Sequence, residues 1–192
     1  MTLSKTLLCS TLAVLCAVAA AQTVLPTVGD RLVVAADGSG DYRKVQSAVD
    51  AVPANRDSVT TIFVRVGEFD GIVRIARDKP RIHLVGEDRR RTIITGVNNE
   101  RLNASSGSGP GANAGRALVS VEADDVTIEN LTVRNATPYK GSQAEAVRVN
   151  GDRCVLRNAD FHSFQDTLLL NGRVYATNCL VQGDVDFIWG YG

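Results

Sequence analysis

The chain has 192 residues, 44% of them hydrophobic, and its 21 basic residues balance 21 acidic ones. A chain without excess positive charge lacks the surface on which nucleic-acid binding and attraction to acidic membranes depend. Its length suits one domain with a continuous hydrophobic core.

The first 21 residues have the organisation of a secretory signal peptide. Lys5 supplies a positive charge, residues 7–18 form an apolar stretch, and residues 19–21 are alanines of the kind found at a cleavage site. The apolar stretch is shorter than the ~20 residues that span a bilayer. We therefore predict export, extracellular or periplasmic, without a membrane anchor, and a mature chain that begins at Gln22.

After the signal, one segment has a helical period. Apolar side chains recur on one helical face between Tyr42 and Val52, which predicts a short helix that ends before Pro53. The rest consists of short β-type runs separated by Gly, Asn and Asp turns. These runs are 61–66, 82–85, 92–95, 117–121, 126–128, 131–133, 146–149, 154–156 and 168–170. Between them, the Ser- and Gly-rich residues 102–115 predict a loop outside the wall of the fold.

Internal repetition distinguishes between the all-β architectures. Asn-Leu-Thr-Val at 130–133 is echoed by Asn-Ala-Asp-Phe at 158–161 and by Asn-Cys-Leu-Val at 178–181. Intervals of 20 to 28 residues match one coil of a parallel β-solenoid, in which asparagines at equivalent bends form hydrogen-bonded stacks. A β-sandwich also has short strands, but it does not account for the spacing. We predict an all-β parallel β-helix with one short N-terminal helix.

Cys154 and Cys179 are the cysteines that follow the signal. When the repeats are aligned on Asn158 and Asn178, the two cysteines are offset by five residues, about 16 Å at ~3.3 Å per residue. A disulfide requires Cα atoms within ~7 Å. We therefore predict that both are free thiols.

Polar side chains recur at the same one-coil spacing. Gln143 precedes Gln165 by 22 residues, and Asp166 precedes Asp186 by 20. In stacked rungs, about 4.8 Å apart, these side chains would share one outer face. Two close carboxylates resist simultaneous ionisation, so they can supply a nucleophile and a proton donor. The glutamine amides can donate hydrogen bonds to an oxyanion.

The same spacing also fits a structural interpretation, in which Asp166 and Asp186 cap turns and the glutamines form a solvated ladder. Other catalytic patterns are missing from the sequence, since there is no Gly-x-Ser-x-Gly nucleophile elbow and two histidines are too few for a metal cluster. We place His83 in the wall and His162 near the site, with a contact at the rim of the site as the less favoured alternative for His162. We predict no metal and no cofactor.

At these residues the chain resembles the pectin methylesterases, or pectinesterases. Their signature segments read approximately QAVAL, YQDTL and GTVDFIFG, and residues 143–147, 164–168 and 183–190 read QAEAV, FQDTL and GDVDFIWG. The likeness also includes residues 40–49, GDYRKVQSAV, and covers nearly all of the exported chain. It implies a right-handed parallel β-helix over residues 22–192 that removes methyl esters from the galacturonate units of pectin, without a metal, and releases methanol.

The resemblance also implies roles for the polar residues. Asp186 would be the nucleophile, Asp166 the general acid and later the base, and Gln143 and Gln165 the donors to the oxyanion. The aromatic residues expected to contact the sugar are Phe164, Phe187 and Trp189.

Several positions depart from the family pattern. Phe164 replaces a tyrosine, Trp189 a phenylalanine and Glu145 an apolar residue. Asp184 replaces a threonine two residues before Asp186, and we expect this additional carboxylate to raise the pKa of a neighbour.

The family's downstream L-G-R-P-W segment, whose arginine orients the nucleophile, has no match before Gly192. We therefore expect a domain that is incomplete at its C-terminal end, weakly active by itself and prone to end-to-end self-association. A polygalacturonase is not favoured, because its N-T-D and G-H-G motifs are missing. Two alternatives stay open: an esterase or thioesterase of this fold with a non-pectin acyl substrate, and a non-catalytic solenoid that binds pectin.

Overall fold

A computed structural model describes residues 30–104 and 115–192. The predicted signal peptide and most of the predicted loop at 102–115 lie outside the described residues. The described chain forms helix α1 (Val45–Ala51) and sixteen strands. The strands are β1 (Arg31–Val34), β2 (Thr60–Val64), β3 (Gly67–Asp70), β4 (Val73–Ile75), β5 (Ile82–Gly86), β6 (Thr92–Gly96), β7 (Val119–Val121), β8 (Thr127–Glu129), β9 (Thr132–Asn135), β10 (Val147–Val149), β11 (Cys154–Arg157), β12 (Asp160–His162), β13 (Leu168–Leu170), β14 (Val174–Thr177), β15 (Leu180–Gln182) and β16 (Ile188–Gly190).

The strands stack into three parallel sheets, ordered β1-β2-β5-β8-β11-β14, β4-β7-β10-β13-β16 and β3-β6-β9-β12-β15. Each later coil therefore contributes one strand to each sheet. Val155 pairs in register with Thr127, and Cys154 pairs with Val174, which gives coils of 28 and 20 residues. The predicted parallel β-helix is confirmed.

The core is a set of columns of inward-facing side chains. In the six-stranded sheet, Ile62, Leu84, Ile128 and Leu156 are in register on successive strands, and each is at most 1% exposed. A single coil cannot bury these side chains by itself, so each coil depends on its neighbours for its hydrophobic contacts. This dependence stacks the coils in a fixed register, and the register positions the polar residues outside.

Helix α1 is shorter than the predicted segment. Tyr42 forms a parallel bridge with Val34, since its N–H donates to the carbonyl of Val33 and its carbonyl accepts from the N–H of Ala35. These bonds hold Tyr42 in an extended conformation, so the helix begins only at Val45.

The nine predicted β-type runs coincide with strands, but the sequence did not indicate β1, β3, β4, β12, β14, β15 and β16. Segments such as Gly67–Asp70 and Asp160–His162 have little intrinsic strand preference. They are extended because the strand one coil away in the same sheet supplies their hydrogen-bond partners.

The predicted asparagine stack is confirmed. Asn158 Nδ2 donates to Asn130 Oδ1 at 2.7 Å, and Asn178 Nδ2 donates to Asn158 Oδ1 at 3.0 Å. All three residues have left-handed φ angles of 51° to 54°, which asparagine adopts more readily than most residues. The ladder thus occupies the same bend in three successive coils.

Both cysteines are free, as predicted. Cys154 pairs in register with Val174, five residues before Cys179. The strand register therefore places Cys154 opposite Val174 and not opposite Cys179, so the two thiols are kept apart.

The coil that contains β14 to β16 leaves large apolar side chains exposed to solvent, among them Tyr175, Leu180, Ile188 and Tyr191. Association through this coil stays a prediction. Across the described ranges, no helix combines the length and the apolar character needed to cross a bilayer.

Candidate active site

The β-helix places Asp166 and Asp186 at the same bend of consecutive coils. Gln165 forms a parallel bridge with Val185, and the N–H of Asp166 donates to the Val185 carbonyl at 2.9 Å. Both aspartates have left-handed backbones, with φ of 64° and 49°. Immediately after the bends, Leu168 and the residue one coil further on pair in register between β13 and β16. The two aspartates are therefore neighbours across one rung, about 4.8 Å along the helix axis.

The two carboxylates have different environments. Asp166 is only 4% exposed, whereas Asp186 is exposed to solvent. Asp166 Oδ2 accepts a hydrogen bond from Arg116 Nη2 at 3.0 Å. Asp166 Oδ1 is also buried, and among the described residues it has no hydrogen-bond partner. Arg116 therefore fixes one oxygen of this acid, while the other oxygen is buried without a hydrogen-bond partner among the described residues.

Burial raises the pKa of Asp166 from its ordinary value of 3.8 to about 6. Arg116 and a hydrogen bond with the side chain of Gln165 oppose this shift, while the negative charges of Glu145 and Asp186 add to it. A carboxyl group with this pKa can hold a proton close to neutral pH and release it during a reaction. The site therefore contains two neighbouring carboxyl groups, one of which has a raised pKa.

Gln143 and Gln165 also lie on consecutive coils. The N–H of Ala144 donates to the Gln165 carbonyl at 3.3 Å, so the chain segments of the two glutamines run side by side. Both glutamines are half-buried. The structure thus brings Gln143, Gln165, Asp166 and Asp186 together from three successive coils. That the amides donate to an oxyanion stays a prediction.

The three predicted aromatic contacts have separate surroundings. Phe164 packs edge-on against Tyr139, with ring centroids 4.3 Å apart, and Phe187 is 43% exposed. Trp189 lies in β16, where its ring is 5.7 Å from the guanidinium of Arg116. Tyr139 was not singled out in the sequence, because it precedes the motif in a segment without a recognisable pattern.

Arg116 is the residue of this site that the sequence did not reveal. Its Nε donates to both carboxylate oxygens of Glu145 at 2.9 Å, and its Nη1 donates to Glu100 at 3.3 Å. It lies just after the Ser- and Gly-rich stretch and belongs to none of the motifs. Glu145, noted only as a departure from the family pattern, was the one available signal.

Asp184 is not one of the groups that raise the pKa of Asp166. Its side chain is exposed, and its N–H donates to the Phe164 carbonyl at 2.8 Å. Glu145, in contrast, does raise that pKa. The departure from the family pattern that places a further carboxyl group near Asp166 is therefore Glu145 rather than Asp184.

Neither histidine contacts the two aspartates. His83 lies in β5, where Nε2 is 2.7 Å from Glu129 Oε2, and His162 Nδ1 is 2.9 Å from Gln182 Oε1 in β15. In the portion of the chain that the structure covers, no group of three His, Cys, Asp or Glu side chains is placed to hold a metal ion.

The family model described as pectinesterase matches residues 31–192. The chain belongs to the pectinesterase family. The matched range includes both aspartates and both glutamines of the site. Arg116 and Glu145 also lie within it.

Individual pectinesterases support this assignment. Pectinesterase 4 of Arabidopsis thaliana is 38% identical over 164 residues, which cover 85% of this chain and 27% of that protein. Among solved structures, pectin methylesterase from carrot matches with a TM-score of 0.76 at 33% identity, covering 85% of this chain and 50% of the other. A pectin methylesterase in complex with a hexasaccharide matches with a TM-score of 0.68 at 26% identity, covering 83% and 51%. The chain thus spans about half or less of these relatives.

Proposed function

We propose that this chain is a carboxylic ester hydrolase that removes methyl esters from pectin and releases methanol. The observation that carries the proposal is the pair of aspartates on adjacent coils, of which Asp166 is buried beside Arg116 with a raised pKa. Two carboxylates in unlike environments are the usual way to obtain an acid and a nucleophile from the same residue type. Membership of the pectinesterase family supports methylated galacturonate as the substrate.

In the first half of the reaction, a carboxylate oxygen of Asp186 attacks the carbonyl carbon of the methyl ester. The carbonyl electron pair moves to oxygen, and the amides of Gln143 and Gln165 donate hydrogen bonds to the resulting oxyanion. When the oxyanion collapses, the bond to the methoxy group breaks and Asp166 gives its proton to the leaving oxygen. Methanol departs, and an acyl-enzyme anhydride remains on Asp186.

In the second half, water takes the place of methanol. Asp166, now ionised, accepts a proton from this water while the oxygen attacks the acyl carbonyl. The anhydride bond to Asp186 breaks, which frees the galacturonate carboxyl group and regenerates the carboxylate of Asp186. Asp166 has its proton again.

The proposed site is accessible to a polymer. Asp186 and Phe187 are exposed, and the Tyr139–Phe164 pair adds an aromatic surface on which a sugar ring can pack. The relative solved with a hexasaccharide supports an oligosaccharide ligand for this fold. We include Trp189 among the substrate contacts, although its ring also packs against Arg116.

We further propose that the chain is exported and that residues 22–192 form its β-helix domain. Residues 1–21 have the organisation of a signal peptide. Homologous plant pectinesterases support an extracellular substrate. Detection of mature protein beginning at Gln22 in the secreted fraction would test this assignment.

Methanol release from methylated pectin tests the proposed activity. We expect the chain to release methanol at a low rate and Asp186→Asn to abolish this release. Asp184→Asn is the matched control, since it removes an exposed carboxylate two residues away. Polygalacturonate binding and hydrolysis of non-pectin acyl esters are measured in parallel. Binding without turnover would favour the non-catalytic solenoid, and turnover of other esters alone would favour the second esterase.

A further inference from the structure

Asp166 shares one buried arginine with a second acid. The side chain of Arg116 is 12% exposed and forms salt bridges with Glu145, whose side chain is 0% exposed, and with Asp166, whose side chain is 5% exposed. Glu100 approaches the same guanidinium at 3.3 Å from a more exposed position, with 31% of its side chain accessible. Among these salt bridges, one buried arginine therefore lies between two buried carboxyl groups.

The charge balance of this group depends on Asp166. Arg116 and ionised Glu145 neutralise each other, so protonated Asp166 leaves the buried group neutral. Ionised Asp166 would leave an excess negative charge away from water, which is costly. With an apolar residue at position 145, as in the family segment, Arg116 would instead face Asp166 without a buried competitor and would favour its ionised form.

We propose that Arg116 is a positioning residue for Asp166 and that Glu145 is the counter-charge that lets Asp166 keep its transferable proton. This inference rests on the function proposed above. Arg116 fixes Oδ2 by a charge-assisted hydrogen bond. Because Glu145 offsets the positive charge of Arg116, this contact does not lower the pKa of Asp166 so far that the proton is lost.

The hydrogen-bond geometry assigns that proton to one atom. A guanidinium can only donate, so Asp166 Oδ2 accepts from Arg116 and the proton resides on Oδ1. Oδ1 is the buried oxygen without a partner in the described chain. Arg116 thereby orients the acid so that its proton points away from the guanidinium.

Two further arginines, Arg148 and Arg74, interact electrostatically with Glu145. Burial chiefly raises the pKa of Glu145, and Arg116 and Arg148 oppose this shift. Arg74 interacts electrostatically with the same glutamate. The pKa of Asp166 is raised by burial, Glu145 and Asp186, and it is lowered by Arg116 and by the side-chain hydrogen bond of Gln165. When it is ionised, Glu145 raises the pKa of Asp166 through its negative charge.

Glu145→Gln tests the proposal, because it removes the charge and keeps the shape. We expect the pKa of Asp166 to fall below about 6, as Arg116 then favours the ionised acid. Carbon-13 NMR of the labelled aspartate carboxyl group measures this pKa directly, with the signal assigned by Asp166→Asn. In a catalytically competent protein, the alkaline limb of kcat should move to lower pH by the same amount.

Glu100→Gln is the matched control, since it removes a carboxylate from the same arginine at a more exposed position. We expect it to change the pKa of Asp166 by less than about 0.3, because water screens an exposed charge. Arg116→Lys keeps the positive charge but loses the planar guanidinium, which donates to Glu145 and Asp166 at the same time. It should largely keep the pKa while lowering kcat about tenfold or more at unchanged KM, because Asp166 is less well oriented.

An unchanged Asp166 pKa in folded Glu145→Gln would overturn the inference. If that variant does not fold, Glu145→Val, with the residue type of the family segment, provides the same measurement. A lowered pKa in a protein that does not hydrolyse pectin would support the coupling of Arg116, Glu145 and Asp166 and would count against the proposed function. The two proposals can thus fail separately.

Discussion

Asp166 and Asp186 adopt the same left-handed bend on adjacent coils, yet the first is buried against Arg116 and the second faces solvent. The repeat of the β-helix makes their backbones equivalent. Asp166 is packed inside the stack of coils, where Arg116 forms salt bridges with it and with Glu145. Burial beside Arg116 and a raised pKa make Asp166 the acid in the proposed reaction.

The amide of Gln165 is expected to act mainly in the transition state. Gln165→Ala should lower kcat for methanol release by about 100-fold to 1,000-fold and change KM little, since an oxyanion donor binds charge that develops only during the reaction. Steady-state kinetics on methylated pectin measure both constants. Gln182→Ala is the control, because Gln182 is an exposed glutamine in β15 whose side chain bonds to His162. A rise in KM with unchanged kcat would indicate a role in ground-state binding instead.

Asp166→Asn is expected to change how stability depends on pH. Burial raises the folded-state pKa of Asp166 from 3.8 to about 6, so the folded protein binds this proton more tightly than the unfolded chain. The resulting stabilisation is complete below about pH 4 and is lost as the pH rises through 6. Relative to the unsubstituted protein, Asp166→Asn should therefore gain about 3 kcal/mol in unfolding free energy between pH 4 and pH 8.

Urea denaturation at pH 4, 6 and 8 measures this difference. Asp184→Asn removes an exposed carboxylate and is expected to show no comparable trend. Parallel pH curves for Asp166→Asn and the unsubstituted protein would show that Asp166 titrates normally.

The asparagine ladder is expected to stabilise the stacked bends. Asn158→Ala removes the hydrogen bonds to Asn130 and Asn178 and places alanine at a φ of 51°. We expect a loss of about 2 to 4 kcal/mol, from the unsatisfied partners and from the left-handed backbone. Asn158→Gly removes the same bonds but tolerates the backbone, so thermal or urea denaturation of both variants separates the two contributions. Equal stability of Asn158→Ala and the unsubstituted protein would mean that the ladder contributes nothing.

The two thiols are expected to react at different rates. Burial raises the pKa of Cys154 to about 11, and Cys179 is only half-buried. Because the thiolate is the reactive form, a thiol reagent should modify Cys179 first, with Cys154 reacting only when the fold opens. Peptide mapping at successive times locates each adduct, and Cys179→Ser confirms the assignment. Faster modification of Cys154 would contradict its burial.

The sequence by itself was sufficient for the architecture and for the residues that recur with the coil. Asparagines at 130, 158 and 178 mark the coil length, and Gln165–Asp166 and Asp186 lie one coil apart. In a β-helix, residues separated by one coil become neighbours, so spacing along the chain translates directly into contact. The same reasoning predicted the free cysteines.

Only the tertiary structure brought Arg116 to Asp166. Arg116 is 50 residues from Asp166 and 29 from Glu145, and it follows a non-repeating stretch that obscures its place in the coil. Burial of the acid also depends on packing from several coils at once, which no local pattern encodes. The sequence therefore identified which carboxylates come together, while three-dimensional packing decided which one is shielded from water and which charges surround it.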